Sequence, residues 1–214
     1  SVDEWGVWAV PSNTVNAEID QKPWGIAPAI SEQIYTLEDA LLFAGMQMVI
    51  LRNADVIKIA CQSLLTNISA CIMTEKNGEY WLQTIYYPFH YFATYAKGTV
   101  LKTASIGPCY SCAEFDGVPY VDSLVVWNEE DQELVIFAVN RSEEELQKAE
   151  VDLQDFEIQH VIESICMTAE NKKMTNMEQH DAVIPKKEKN VEIETGRCQI
   201  TLQPLSFNMV RLAV

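Results

Sequence analysis

Apolar positions recur at a helical period only in the first half of the chain. Between Thr36 and Asn53, residues Leu37, Ala40, Leu41, Ala44, Met48 and Leu51 fall on one stripe. Thr36 is placed to cap the amino end, acids occupy the first turn, and Arg52 sits in the last turn, where the helix dipole favours a cation. The spacing predicts a helix over 36–53, and Leu42, Met46 and Ile50 widen the stripe enough to require contact on more than one side. The β-branched run Val56 to Cys61 predicts a strand that leads into a loop. From Pro88 to Gly98, PFHYFATYAKG places proline where a short helix begins and glycine past its end. With the opening SVDEWGVW as a strand followed by a long loop, the order is strand, loop, helix, twice over. Such alternation predicts parallel pairing with right-handed crossovers.

Beyond Gly98 the helical period disappears. The segment SLVVWNEEDQELVIFAVN reads as two strands around the polar turn Asn128-Glu129-Glu130-Asp131. Further strands are expected in AEVDLQDFEIQHVIESICM and NVEIETGRCQITLQPLSFNMVRLAV. Together they predict an antiparallel β-sandwich over 99–214. The intervening ENKKMTNMEQHDAVIPKKEKN is polar and charge-rich, and is expected to be a long loop or frayed excursion.

Composition narrows the partners. The chain has 214 residues, 48% of them hydrophobic, which is ample for a buried core. Fifteen Lys and Arg against 31 Asp and Glu give a net charge of -16, a field that repels phosphate backbones and anionic headgroups. Nucleic acid and membrane surfaces are not expected partners, whereas a neutral sugar is unaffected. The longest apolar runs fall short of the ~18 residues of a membrane span. Six cysteines in a chain of this size read as reduced thiols. Cys109-Tyr110-Ser111-Cys112 has the spacing of half a zinc site but lacks a second pair, so no metal is expected.

No glycine-rich phosphate loop, HExxH pair or GxSxG elbow occurs. The histidines at 90, 160 and 180 lie in unrelated settings, and His90, flanked by aromatics on a predicted helix, reads as packed. The opening strand remains. Asp3 and Glu4 point to opposite faces, and Glu4 shares its parity with Gly6 and Trp8. An acid at the carboxyl end of a parallel strand is well placed for chemistry, and a carboxylate beside an aromatic platform suits a sugar ring. The same pair also reads as a surface carboxylate beside a capping tryptophan.

SVDEWGVW, IYTLEDALLFAG, RNADVIKIACQSLLTNISACIMTEKNG, WLQTIYYPFHYFATYAKG, VPYVDSLVVW and FAVNRS occur in that order. Together they resemble the carboxyl-terminal part of the intracellular α-L-arabinofuranosidases of glycoside hydrolase family 51. The resemblance implies an α+β chain in two parts. Residues 1–98 are the last two β/α units of a TIM barrel, a βαβα fragment, and 99–214 form a jelly-roll-like antiparallel sandwich. It implies that Glu4 is the catalytic nucleophile and that Trp8 lines the sugar site. The family's acid/base glutamate belongs to an earlier barrel unit and has no counterpart here, so the isolated chain is expected to be inactive.

Further implications are an arabinofuranosyl oligosaccharide or polysaccharide as substrate, no cofactor, a cytoplasmic location, a missing N-terminal barrel portion and self-association. Two positions depart from the family. Gly6 replaces a frequent asparagine, and Leu64 replaces a sugar-binding glutamine for which Gln62, of like parity, is a candidate substitute, although it also reads as a solvated loop residue. The competing class is a non-catalytic carbohydrate-binding or structural sandwich module.

Overall fold

The computed structural model describes residues 1–8, 25–26, 32–153, 155–194 and 196–214. The long loop expected after the opening strand falls almost entirely outside them. Strand β1 (Val2–Trp5) pairs in parallel with β2 (Ala60–Gln62), and helix α1 (Leu37–Arg52) lies between them in sequence. The parallel pairing and the helix follow the sequence pattern. The strand expected over 56–61 forms only at its end, as Ala60 and Cys61 of β2, because the helix end overrides the β propensity of the first residues. The N–H groups of Val56 and Ile57 both bond Asn53 O, at 3.0 and 2.8 Å, which keeps 53–57 in a turn.

Between β2 and the second helix the chain forms an antiparallel hairpin, β3 (Ile72–Thr74) with β4 (Tyr80–Leu82), where only loop was expected. Helix α2 spans Tyr86–Tyr95 and so begins two residues before Pro88. Proline is tolerated there because the first-turn N–H groups have no intrahelical partner.

The remaining strands are β5 (Thr99–Val100), β6 (Cys109–Tyr110), β7 (Val118–Pro119), β8 (Val121–Asn128), β9 (Glu133–Asn140), β10 (Gln147–Asp152), β11 (His160–Met167), β12 (Lys186–Lys187), β13 (Val191–Glu194), β14 (Arg197–Leu202) and β15 (Ser206–Ala213). Strands β6 and β7 form a small hairpin of their own. A six-stranded antiparallel sheet runs β12-β11-β15-β9-β8-β5, and a three-stranded one runs β10-β14-β13. The predicted β8–β9 hairpin forms, in register from Asn128 opposite Glu133 to Val121 opposite Asn140.

Strand β9 shows why its sequence is apolar throughout. Leu134, Ile136 and Ala138 face the three-stranded sheet and pack with Cys198, Ile200 and Leu202. Val135, Phe137 and Val139 face the helices and pack with Leu37, Leu41, Met48 and Phe92. The six-stranded sheet is therefore the middle of three layers, and its central strand is buried on both faces. Helix α1 also meets a second cluster, with Phe43 buried against Trp5 and Tyr35, and Met46 and Ile50 packed at its edge. Its broad stripe thus has two partners, although Leu42 is exposed.

The apolar cluster beneath the helices crosses residue 98. Gly98 itself sits at φ 117°, where a Cβ would lie 2.1 Å from Trp127 O, so a side chain is excluded. Arg52 extends from the last turn of α1 to Asp122 on β8, which Arg141 also bonds at 2.8 Å.

The polar segment 170–190 is a docked loop carrying the short strand β12, not a frayed excursion. Met174 O and Lys172 O accept from the N–H groups of Leu37 and Glu38 at 2.9 and 3.0 Å, capping the start of α1. Thr36 and Asp39 complete a capping box. Asn176 is buried and its amide nitrogen bonds Leu82 O and Val183 O at 3.0 and 3.1 Å. His180 stacks on Trp81, with ring centroids 4.7 Å apart.

All six cysteines are free, with Cys71, Cys166 and Cys198 buried. Burial pushes each of these three thiols up to about 11. At pH 8 a thiol reagent is expected to label Cys61, Cys109 and Cys112 in the native state and the other three only after denaturation, as counted by mass spectrometry. The buried thiols ionise near 9 when unfolded and near 11 when folded. The contribution of these protonated thiols to stability is accordingly complete below pH 9 and is lost as pH climbs through about 11. Uniform labelling of all six would contradict the burial.

Candidate active site

Glu4 and Trp5 end β1 and diverge from one another. Trp5 is 5% exposed and packs against Phe43, with ring centroids 5.5 Å apart, whereas Glu4 is exposed. The register shift between Val2 and Trp5 disturbs strict alternation, and Asp3 is exposed as well. Glu4 nonetheless has a defined partner. Ser63, just past the carboxyl end of β2, donates its hydroxyl to Glu4 Oε1 at 2.7 Å. The N–H of Ser63 bonds Trp5 O at 2.9 Å, so the two strand ends are tied through main chain and side chain together.

Trp8 is 50% exposed, and its six-membered ring lies over Gly6. A Cβ on Gly6 would meet Trp8 Cζ2 and Phe43 Cζ at 3.5 Å each, which is ordinary contact, so the position does not require glycine for lack of space at Cβ. Tyr35 supports this segment from below by donating its hydroxyl to Val7 O at 3.1 Å. Burial, foremost, pushes the Tyr35 phenol up to about 12, so it remains protonated and able to donate.

Leu64 is 52% exposed and adopts φ 50°, in the left-handed region. Gln62 is not a solvated loop residue. It belongs to β2, and its amide nitrogen turns inward to Cys71 Sγ at 2.8 Å. The surface around β2 is apolar, with Val56, Ile59, Leu64 and Leu65 all exposed. His90 lies on α2, stacked on Tyr86 with centroids 5.5 Å apart, but it is exposed rather than packed in the core. Among the described residues no group of three or more potential ligands gathers to hold a metal. No helix of the described residues is long and apolar enough to cross a membrane.

The arrangement is an exposed carboxylate at the carboxyl end of a parallel strand, held by a serine from the neighbouring strand's end and close in sequence to a half-exposed indole. Comparison with known proteins identifies the family of the chain, not the role of these residues. Residues 3–206 match the model of the α-L-arabinofuranosidase C-terminal domain. The chain belongs to that family. It is 42% identical over 212 residues to an intracellular exo-α-(1→5)-L-arabinofuranosidase of Halalkalibacterium halodurans, covering 99% of this chain and 42% of that protein. Identity to the corresponding Bacillus subtilis enzyme is 39% over the same shares. The solved family 51 α-L-arabinofuranosidase of Bifidobacterium longum superposes with a TM-score of 0.86 at 28% identity, over 99% of this chain and 42% of that one.

This arabinofuranosidase C-terminal domain thus spans under half the length of the relatives it matches. Its mostly β architecture with few helices agrees with the family structure. Ser63 was not legible as a site residue from the chain, because its contact with Glu4 spans 59 positions. The one available signal was its place two residues past the Val56 to Cys61 run expected to be a strand.

Proposed function

We propose that this chain is the carboxyl-terminal portion of a retaining exo-α-L-arabinofuranosidase, that Glu4 is its nucleophile, and that Trp8 is a wall of the sugar site. The observation that carries the reading is Glu4 at the carboxyl end of β1, held at 2.7 Å by Ser63 from the end of parallel β2. In β/α barrels that end of the strands forms the active-site mouth. Residues 1–98 are read as the last two β/α units of such a barrel and 99–214 as a jelly-roll-like sandwich. A two-stranded parallel sheet supports this, since parallel sheets are stable only when extended and covered on both faces. So does the apolar surface around β2, where further barrel wall would pack.

The substrate is a terminal α-L-arabinofuranosyl residue of arabinan, arabinoxylan or their oligosaccharides. Glu4 attacks the anomeric carbon as the glycosidic C–O bond breaks, and a second carboxylic acid protonates the leaving oxygen. That acid then removes a proton from the water that releases arabinose with net retention. The two carboxyl groups of retaining enzymes lie about 5 to 5.5 Å apart, and the second belongs to polypeptide outside this chain. The chain by itself is therefore inactive. Its location is intracellular, as its relatives are named. The exposed large apolar residues on the sandwich strands are aliphatic, Ile162 and Ile193, which gives little support to a carbohydrate-binding module built on stacked aromatics.

The test is a fusion that places the part of the Halalkalibacterium halodurans relative preceding its matched region ahead of Ser1. The fusion is expected to hydrolyse an aryl α-L-arabinofuranoside with retention, seen by NMR of the first-formed anomer, while the chain alone shows only the buffer rate. Turnover by the isolated chain, or a folded fusion without turnover, counts against the assignment.

A further inference from the structure

A serine hydroxyl at the end of a strand ordinarily rotates among partners, but Ser63 is 4% exposed and its main chain is fixed on both sides. Its N–H is held by Trp5 O. On the other side Leu64, Asn67 and Ser69 take φ values of 50°, 62° and 44°. A leucine with positive φ is strained, and such a conformation persists only where the surroundings over-determine it. Here they do. Ile72 N bonds Leu65 O at 3.2 Å, Asn67 N bonds Ile72 O at 2.8 Å, and Thr74 N bonds Asn67 Oδ1 at 2.8 Å. This turn delivers the Ser63 hydroxyl to one place, 2.7 Å from Glu4 Oε1.

We propose that Ser63 is a positioning residue for the nucleophile, an inference that rests on reading Glu4 as that nucleophile. A carboxylate held at one oxygen presents the other in a single direction, and such orientation is a large part of catalytic rate. Oε2 of Glu4 has no hydrogen-bond partner among the described residues and is the oxygen presented to the anomeric carbon. A neutral hydroxyl suits the task because it orients the carboxylate without adding a countercharge that would pair with it and blunt its attack. The bond also outlasts the chemistry. As the Oε2–carbon bond forms and the glycosidic C–O bond breaks, Oε1 becomes the ester carbonyl oxygen and still accepts from Ser63.

The experiment makes Ser63→Ala and Ser63→Thr in the active fusion. The alanine variant is expected to lose kcat by about 10- to 100-fold with KM changed by less than about twofold, because orientation and not substrate binding is removed. The threonine variant retains the hydroxyl and restores kcat to within about threefold, with Tm close to the parent for both. Parental kcat in Ser63→Ala overturns the proposal, and so does a loss shared by both variants and matched by a fall in Tm. Failure of the nucleophile reading looks different, since Glu4→Ala then retains activity whatever stands at 63. A second measurement needs no turnover. In the chain itself, NMR couplings of the Glu4 methylenes are expected to report one rotamer, averaged in Ser63→Ala; averaging already in the parent overturns the proposal.

Discussion

Glu4→Ala in the active fusion is expected to lower turnover of an aryl α-L-arabinofuranoside by roughly 10⁴- to 10⁶-fold, the range that removing a nucleophile or its activating group costs in other enzymes. The fold should be untouched, because Glu4 is exposed and its one hydrogen bond among the described residues is to Ser63. Added azide discriminates nucleophile from bystander. With the carboxylate gone, azide occupies the vacated space and displaces the leaving group directly, so activity returns and the glycosyl azide has inverted configuration. A retaining mechanism requires that inversion, because one of its two displacements has been removed. Substantial activity in Glu4→Ala without azide would exclude Glu4 as nucleophile. Trp8, half exposed beside Gly6, is outside this test, because a platform for a sugar ring contributes through binding rather than bond making.

The parts of the fold that were legible in the chain share one property: their stabilising contacts are periodic. Helix α1 is visible because its stripe, its Thr36 cap and its Arg52 end all coincide. The β8–β9 hairpin is visible because two apolar runs flank a polar turn. What remained hidden depends on contacts without a period. The β3–β4 hairpin has strands of three residues each, too short for alternation to register, although Asn77-Gly78 marks its turn. Segment 170–190 looks like a solvated loop because its ties to α1 run through the carbonyls of Lys172 and Met174, which carry no residue signature, and through lysines on Glu38 that read as ordinary surface charges. The site divides in the same way. Glu4 and Trp8 lie within one short stretch and could be singled out, whereas Ser63 reaches Glu4 only through the tertiary pairing of β1 with β2.

Asn140→Asp is expected to destabilise the chain by about 3 to 5 kcal/mol at pH 7, as an uncompensated buried charge does. Asn140 ends β9 with no exposed surface. Its amide nitrogen donates to Glu145 O, Leu202 O and Gln203 O at 3.0, 3.2 and 3.0 Å, and its Oδ1 accepts from Ser142 N at 3.0 Å. Because Leu202 ends β14, these bonds join the middle sheet to the three-stranded one. An aspartate of the same shape retains the bond from Ser142 but turns a carboxylate oxygen toward three carbonyls. Repulsion and burial both favour its protonated form, so the new carboxyl is raised above its unfolded value of about 3.9. The penalty is consequently small below pH 4, grows as pH rises past that value, and is complete above the raised folded pKa. Urea unfolding of parent and variant at pH 4 and pH 8 should show the gap between them widening at the higher pH. A gap that is equal at both values would mean that loss of the amide's N–H donors, and not a buried charge, sets the penalty at this position.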